Sequence, residues 1–414
     1  MPRQVKWHPG SFFRFGEVKG TIMGLSSPSG NAWKVGVLFS QTGVTAVIEK
    51  SQLHGALLAM DEINEAGGID GREIRPVIYD PASVVKAYGE LAERLLTEDG
   101  VNVIFGCYMS STRKEVLPVI ERRNALFFYP TLYEGFEYSP NVIYGGAAPN
   151  QNSVPLASYL MENYGIRFYF VGSDYIYPRE SNRVMRTIVR QGGGEVIGER
   201  YVSLEAGPDD FDDILREIRQ KQPDVIFSTV VGTGTINLYQ AYLRAVGGGG
   251  RVPIASLTTN EAEVAEMGPE AAAGHITAAP YFRNISTPAN RRFLERYRKR
   301  FGTVADVTSC CEATYFQMHM FANALRDTGT TDTDRLRAAL QGADFEAPQG
   351  RVKIDPDNNH TYLQSRIGKV DEHGEYVVEL EVGWPIKPDP YLVVPALNDW
   401  SLRLMPPRGG LINL

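Results

Sequence analysis

Short apolar runs alternate with amphipathic stretches along most of this chain. Lys34–Phe39 has the look of a strand, and Leu53, Ala56, Leu57, Met60 and Ile63 then recur at helical spacing until Gly67-Gly68 ends the pattern. Ile74–Tyr79 alternates as a strand, and Val84–Glu98 keeps Ala87, Leu91 and Leu95 on one helical face. Val101–Phe105, Ala125–Phe128 and Val142–Tyr144 follow as strands. Between the first two of these, Thr112 and Glu115 stand at capping-box spacing, and Pro118 predicts a kink or a late start.

A second set repeats the alternation. Ser153–Tyr164, Asn182–Arg190, the run from Phe211 to Ile218 and Thr235–Val246 read as helices, and Arg167–Val171, Glu195–Val202, Val225–Thr229, Pro253–Leu257 and Ile276–Tyr281 as strands. Asn260 with Glu263 has capping-box spacing, and Thr287-Pro288 supplies an N-cap and a first-turn proline. Ser309–Arg326 and Asp332–Leu340 are helical, after which the pattern turns to β, with Tyr362–Val370 and Tyr376–Val382 forming a hairpin around Glu372-His373-Gly374. Alternating strands and helices predict an α/β fold with parallel sheets covered on both faces. At 414 residues the chain is long enough for two such lobes.

In an open parallel sheet, ligands sit past the carboxyl ends of the strands. Two predicted strands end in polar clusters there, Cys107-Tyr108-Met109-Ser110 and Tyr129-Pro130-Thr131. A hydroxyl both donates and accepts, so Ser110 and Thr131 suit a neutral amide, with Tyr108 and Tyr129 as walls. Gly172-Ser173-Asp174-Tyr175-Ile176-Tyr177-Pro178 holds the corresponding place in the second half, which adds Tyr175 and Tyr177. Each cluster has a plainer reading as helix caps and core edges. Val230-Val231-Gly232-Thr233-Gly234-Thr235 begins like a dinucleotide fingerprint, but Asn237 stands where the third glycine belongs, so a tight turn into a helix is the better reading.

Charge and composition narrow the classes. A net charge of −7 without a long basic run argues against direct nucleic-acid binding. No stretch approaches the ~20 apolar residues of a membrane helix. Met1–Trp33 lacks an apolar signal core and reads as a disordered or loosely docked arm, with Phe12, Phe13 and Phe15 available to a neighbouring surface. Cys107, Cys310 and Cys311 show no disulfide pattern. These features predict a cytoplasmic protein. None of the six histidines has metal-ligand spacing, and no GxSxG motif occurs. Asp209-Asp210 with Asp212-Asp213 complements the dipole at a helix start. Cys107 is the one candidate nucleophile, for an amide hydrolase; a buried strand-end cysteine is the plainer reading.

Eight segments carry a likeness: FSQTGVTAVIEKSQLHGALLA, GCYMSSTRKEVLPVIERRNALFFYPTLYEGFEYSPN, YGGAAPNQNS, VGSDYIYPRESN, FSTVVGTGT, PIASLTTNEAEVA, EAPQGRVKI and IKPDPYLVV. The chain resembles the periplasmic-binding-protein-like receptors of the leucine-binding type, and within them the branch that senses short-chain amides and negatively regulates an aliphatic amidase operon. The resemblance implies a type I periplasmic binding protein fold, with two doubly wound lobes joined by three crossovers near Gly146, Phe282 and Val352. Lobe one is then expected at 34–146 plus 283–351 and lobe two at 147–282 plus 352–400, with an arm at 1–33 and a tail at 401–414. It implies a small neutral amide held by Tyr108, Ser110, Tyr129, Thr131, Tyr175 and Tyr177, with Thr233 and Tyr281 as further candidates. It implies no cofactor, no metal and no catalysis, and an RNA-binding antitermination protein as partner, held silent until the amide arrives. Oligomeric state is left open. Leu132 stands where that branch has a proline. Two rival functions share the page: an extracytoplasmic receptor of an ABC transporter for urea, short amides or branched-chain amino acids, and the Cys107 hydrolase.

Overall fold

The computed structural model describes residues 32–247 and 252–393. The expected arm, apart from its last two residues, and the expected tail lie outside them. Trp33 is the first residue of a strand rather than the end of an arm.

The first lobe is built from strands β1 (Trp33–Leu38), β2 (Ile74–Tyr79), β3 (Val103–Gly106), β4 (Leu126–Tyr129) and β5 (Val142–Tyr144), with helices α1 (Ala46–Glu65), α2 (Val85–Thr97) and α3 (Ser110–Arg123) between them. The strands form one parallel sheet in the order β2-β1-β3-β4-β5. Strands β3, β4 and β5 are buried along their length, which is why they read as unbroken apolar runs.

Helix α3 begins at Ser110, two residues before the expected cap. Cys107 takes a positive φ of 66° and Met109 is extended, so the chain leaves β3 through a sharp bend straight into the helix. The Thr112 hydroxyl then donates back to the Met109 carbonyl and caps nothing. Pro118 is carried inside the helix.

The second lobe follows α4 (Pro149–Asn163). Its elements are β6 (Arg167–Ser173), α5 (Ile176–Gln191), β7 (Glu195–Val202), α6 (Asp212–Lys221), β8 (Val225–Thr229), α7 (Thr233–Val246), β9 (Ile254–Ser256), α8 (Glu261–Met267), α9 (Pro269–Ala272) and β10 (Ile276–Ala279). The parallel part runs β7-β6-β8-β9-β10 and repeats the order of the first sheet. Helix α5 starts six residues before the expected position, since Pro178 falls in its first turn, where a missing N–H costs nothing. The Asn260–Glu263 capping box and the Thr287 cap form as the spacing predicts.

The chain then returns through α10 (Pro288–Phe301), α11 (Ser309–Thr328) and α12 (Thr333–Leu340) to β11 (Asp344–Ala347), β12 (Gly350–Ile354), β13 (Thr361–Val370) and β14 (Tyr376–Ile386). Strand β13 lies antiparallel to β10 and pairs with β14 in the expected hairpin and with β12, extending the second sheet to nine strands on one path and its branch. Helix α11 packs along α1. That approach depends on Gly55, where a Cβ would stand 2.3 Å from the Cys311 carbonyl oxygen.

Candidate functional site

Five strands, β3 and β4 of one lobe and β6, β8 and β9 of the other, end at the same place. The loops after them contribute Tyr108 and Ser110, Thr131 and Leu132, Tyr175 and Tyr177, Val231, and Thr258 to the wall of a single cavity of about 10 Å3. That is room for roughly one water molecule, so the lobes stand closed. Helices α3 and α5 meet across the gap, as do α1 and α8. No charged side chain is among the lining residues. An apolar cluster of Ile48, Met109, Val231 and Cys310 packs around the two tyrosines Tyr108 and Tyr177.

The polar groups of this wall are set by specific partners. Ser110, the first residue of α3, donates its hydroxyl hydrogen to Glu134 Oε2 and accepts from Arg113 Nη1 at 3.1 Å. Arg113 is fully buried, lies over the rings of Tyr129 and Tyr133, and also bonds Glu134 and Glu137. Burial opposes the Arg113 charge, but Tyr129 and the two carboxylates outweigh it and raise its pKa. Burial likewise pushes Glu137 up, yet Arg113 and Lys114 hold it down at about 2. Thr131 accepts from Gln52 Nε2 at 3.0 Å and donates to the Cys107 carbonyl at 3.3 Å. The phenol oxygen of Tyr108 is buried with no hydrogen-bond partner among the described residues, while that of Tyr177 lies against Ser181. An unpaired buried hydroxyl costs on the order of 1–3 kcal/mol, so the Tyr108 group is available to a polar ligand atom.

Of the residues expected at the site, Tyr108, Ser110, Thr131, Tyr175 and Tyr177 meet at this cavity. Tyr129 does not line it: it is buried one layer behind, and its hydroxyl donates to the Tyr108 carbonyl at 2.7 Å. Thr233 opens α7 outside the cavity, and its backbone N–H donates to Val44 of the other lobe at 3.2 Å. Tyr281 donates its hydroxyl to Asn290 Oδ1 and lines a second cavity, of about 30 Å3, beside Pro130, Gly146 and Phe282. That cavity shares Leu132 and Thr258 with the first. Sequence reading missed Thr258, Gln52 and Glu134. Thr258 follows a predicted strand as the other site residues do; Gln52 on α1 and Glu134 in a loop carry no local signal.

Cys107 lies in the bend after β3. Burial raises its thiol well above the ordinary range, which keeps it protonated. All three cysteines are free and buried. Among the described residues no helix is long and apolar enough to cross a membrane, and no cluster of side chains could hold a metal.

A family model described as periplasmic binding protein domain matches residues 33–396. The chain belongs to this family. A Leu/Ile/Val-binding protein homolog of Brucella melitensis biotype 1 is 25% identical over 84% of this chain and 90% of its own length. The leucine-, isoleucine-, valine-, threonine- and alanine-binding protein of Pseudomonas aeruginosa is 22% identical over 78% of this chain and 85% of its own. Among solved structures, a solute-binding protein of an ABC transporter from Rhodopseudomonas palustris HaA2, in complex with p-hydroxybenzoic acid, superposes with a TM-score of 0.78 at 23% identity, covering 90% of this chain and 99% of that one. The branched-chain amino acid substrate-binding protein LivJ of Streptococcus pneumoniae, in complex with isoleucine, superposes at 0.75 with 20% identity, covering 86% and 100%. These neighbours share the type I two-lobed α/β fold of this periplasmic binding protein.

Proposed function

We propose that this protein binds a small uncharged amide or urea between its lobes and serves as a receptor rather than a catalyst. One observation carries the reading: a cavity made by five strand ends of both lobes, walled by tyrosines and hydroxyls, with no charged lining residue and with the Tyr108 hydroxyl left without a partner. A free amino acid would need an acidic partner for its ammonium and donors for its carboxylate, and burying those charges unpaired is costly. The ligand class therefore differs from that named for the branched-chain relatives. The relatives and neighbours support deployment as the substrate-binding receptor of a transporter over a regulatory role.

The second reading is an amide sensor of the AmiC type, whose closed and open states hold or release an RNA-binding antitermination protein. The long motif segments between Lys34 and Trp400 favour it, and three unpaired thiols fit a reducing cytoplasm. In either role the ligand acts by favouring one lobe arrangement.

Calorimetry of the full chain with acetamide, propionamide, urea, acetate and leucine tests the ligand class. Saturable binding of a neutral amide or urea, with acetate and leucine silent, is expected. Acetate binding as tightly as acetamide would end the reading.

A further inference from the structure

We propose that Glu134, together with Arg113, is a positioning residue that fixes Ser110 as a hydrogen-bond acceptor, so that the site selects ligands presenting an N–H. The inference rests on the amide reading above. A serine hydroxyl has one hydrogen and two lone pairs. Here the hydrogen goes to Glu134 Oε2 and one lone pair takes Arg113 Nη1. What remains toward the cavity is a single lone pair. Thr131 is fully engaged, with its hydrogen on the Cys107 carbonyl and its lone pairs facing Gln52 Nε2 and the Cys310 thiol, so Ser110 is the acceptor left on this wall. The unpartnered Tyr108 hydroxyl is the group free to donate. A primary amide or a urea fits this polarity, with N–H toward Ser110 and carbonyl toward Tyr108. A carboxylate or a ketone of the same shape has no hydrogen to give and faces acceptors.

Glu134 and Arg113 are both buried, at 4% and 0% exposure, and neither lines the cavity. Their effect on the ligand runs through Ser110. Arg113 also fixes what a neutral replacement must do. Its guanidinium only donates and bonds Glu134 Oε1 at 3.2 Å. In Glu134→Gln the amide oxygen has to face Arg113, so the amide N–H2 faces Ser110. Ser110 then receives two donors, and its own hydrogen turns into the cavity. The polarity of that wall is reversed by one atom.

The test compares acetamide with acetone, in which a methyl replaces the N–H2, by calorimetry on the full chain. Wild type should bind acetamide at least tenfold more tightly than acetone. In Glu134→Gln, folded by circular dichroism and cooperative on melting, the acetamide-to-acetone ratio should fall at least tenfold, with acetone affinity unchanged or improved. A folded variant with an unchanged ratio overturns the inference. If Glu134→Gln does not fold, Ser110→Ala leaves the Arg113–Glu134 pair in place and must collapse the same ratio; an unchanged ratio there overturns it equally. Wild type that binds neither acetamide nor urea defeats the amide reading itself, whereas amide binding with an insensitive ratio defeats only the role of Glu134.

Discussion

Gly232 of the second lobe abuts Val44 of the first so closely that a Cβ on it would stand 2.4 Å from the Val44 carbonyl oxygen. The next residue, Thr233, donates its backbone N–H to that same oxygen at 3.2 Å. The glycine-rich turn that imitates a nucleotide fingerprint is thus a latch between lobes. Gly232 also has φ 63° and ψ −144°, a region left to glycine. Gly232→Ala should disfavour the closed arrangement through both the clash and the backbone. A closed-state penalty of about 1.4 kcal/mol or more lowers amide affinity at least tenfold. Small-angle scattering of the liganded variant should show a wider particle. Unchanged affinity would mean that the latch belongs to a state the ligand does not use.

Much of this site was legible because its residues follow strands. Ser110, Thr131 and Tyr175 each come within four residues of a strand end, and the parallel-sheet rule gathers such positions at one edge. The same rule failed for Tyr129 and Thr233. A residue at a strand end alternates between facing the cleft and facing the core, and the final bend decides. For Tyr129 the positive φ of Cys107 lifts Tyr108 into the cleft, leaving Tyr129 behind it to bond the Tyr108 carbonyl. For Thr233 the conformation of Gly232 turns the backbone, rather than the hydroxyl, toward the other lobe. Glu134 was illegible for another reason: its partners Ser110 and Arg113 lie 24 and 21 residues earlier, and no periodicity marks such contacts.

Tyr108→Phe should raise the stability of the ligand-free protein while weakening amide binding. The deleted hydroxyl is buried and unpaired, so its loss removes a desolvation cost on the order of 1–3 kcal/mol. The same deletion removes the donor for the ligand carbonyl, and affinity should fall about tenfold. Thermal melting without ligand and calorimetry with acetamide read the two signs separately. A lower melting temperature would show that the hydroxyl has a partner in the empty protein.

Glu263 predicts a pH signature. Burial lifts its carboxyl to about 8, against the hydrogen bond it accepts from the Asn260 N–H. The folded pKa lies above the ordinary carboxylate value, so the folded protein binds the extra proton. The stability this lends is complete below about 4.5 and is lost as pH rises toward about 8. Glutamine at the third helical position preserves the capping box and removes the titration. The melting-temperature difference between Glu263→Gln and wild type should therefore grow in favour of the variant from pH 5 to pH 8. A constant difference across that range would show that Glu263 does not titrate there.

Leu132 stands between two cavities and lines both: the closed slot beside Ser110 and Thr131, and the larger space beside Pro130, Gly146 and Tyr281. The slot has room for about one water and the neighbouring space about three times that volume. With the polar end of an amide at Ser110, its acyl chain runs toward this partition. On the amide reading, Leu132 is then expected to set the chain length. Leu132→Ala joins the two spaces and lets the added methylenes of butyramide enter a compartment lined by Ala147, Ala278 and Ala279. Each buried methylene contributes about 0.8 kcal/mol, so two that gain access shift the butyramide-to-acetamide affinity ratio by about tenfold. Acetamide, with no methylene to place beyond the partition, should lose only what a looser wall costs. Competition calorimetry across acetamide, propionamide and butyramide measures the ratio directly. If every amide loses affinity by the same factor, Leu132 is packing for the closed state, and chain length is chosen elsewhere.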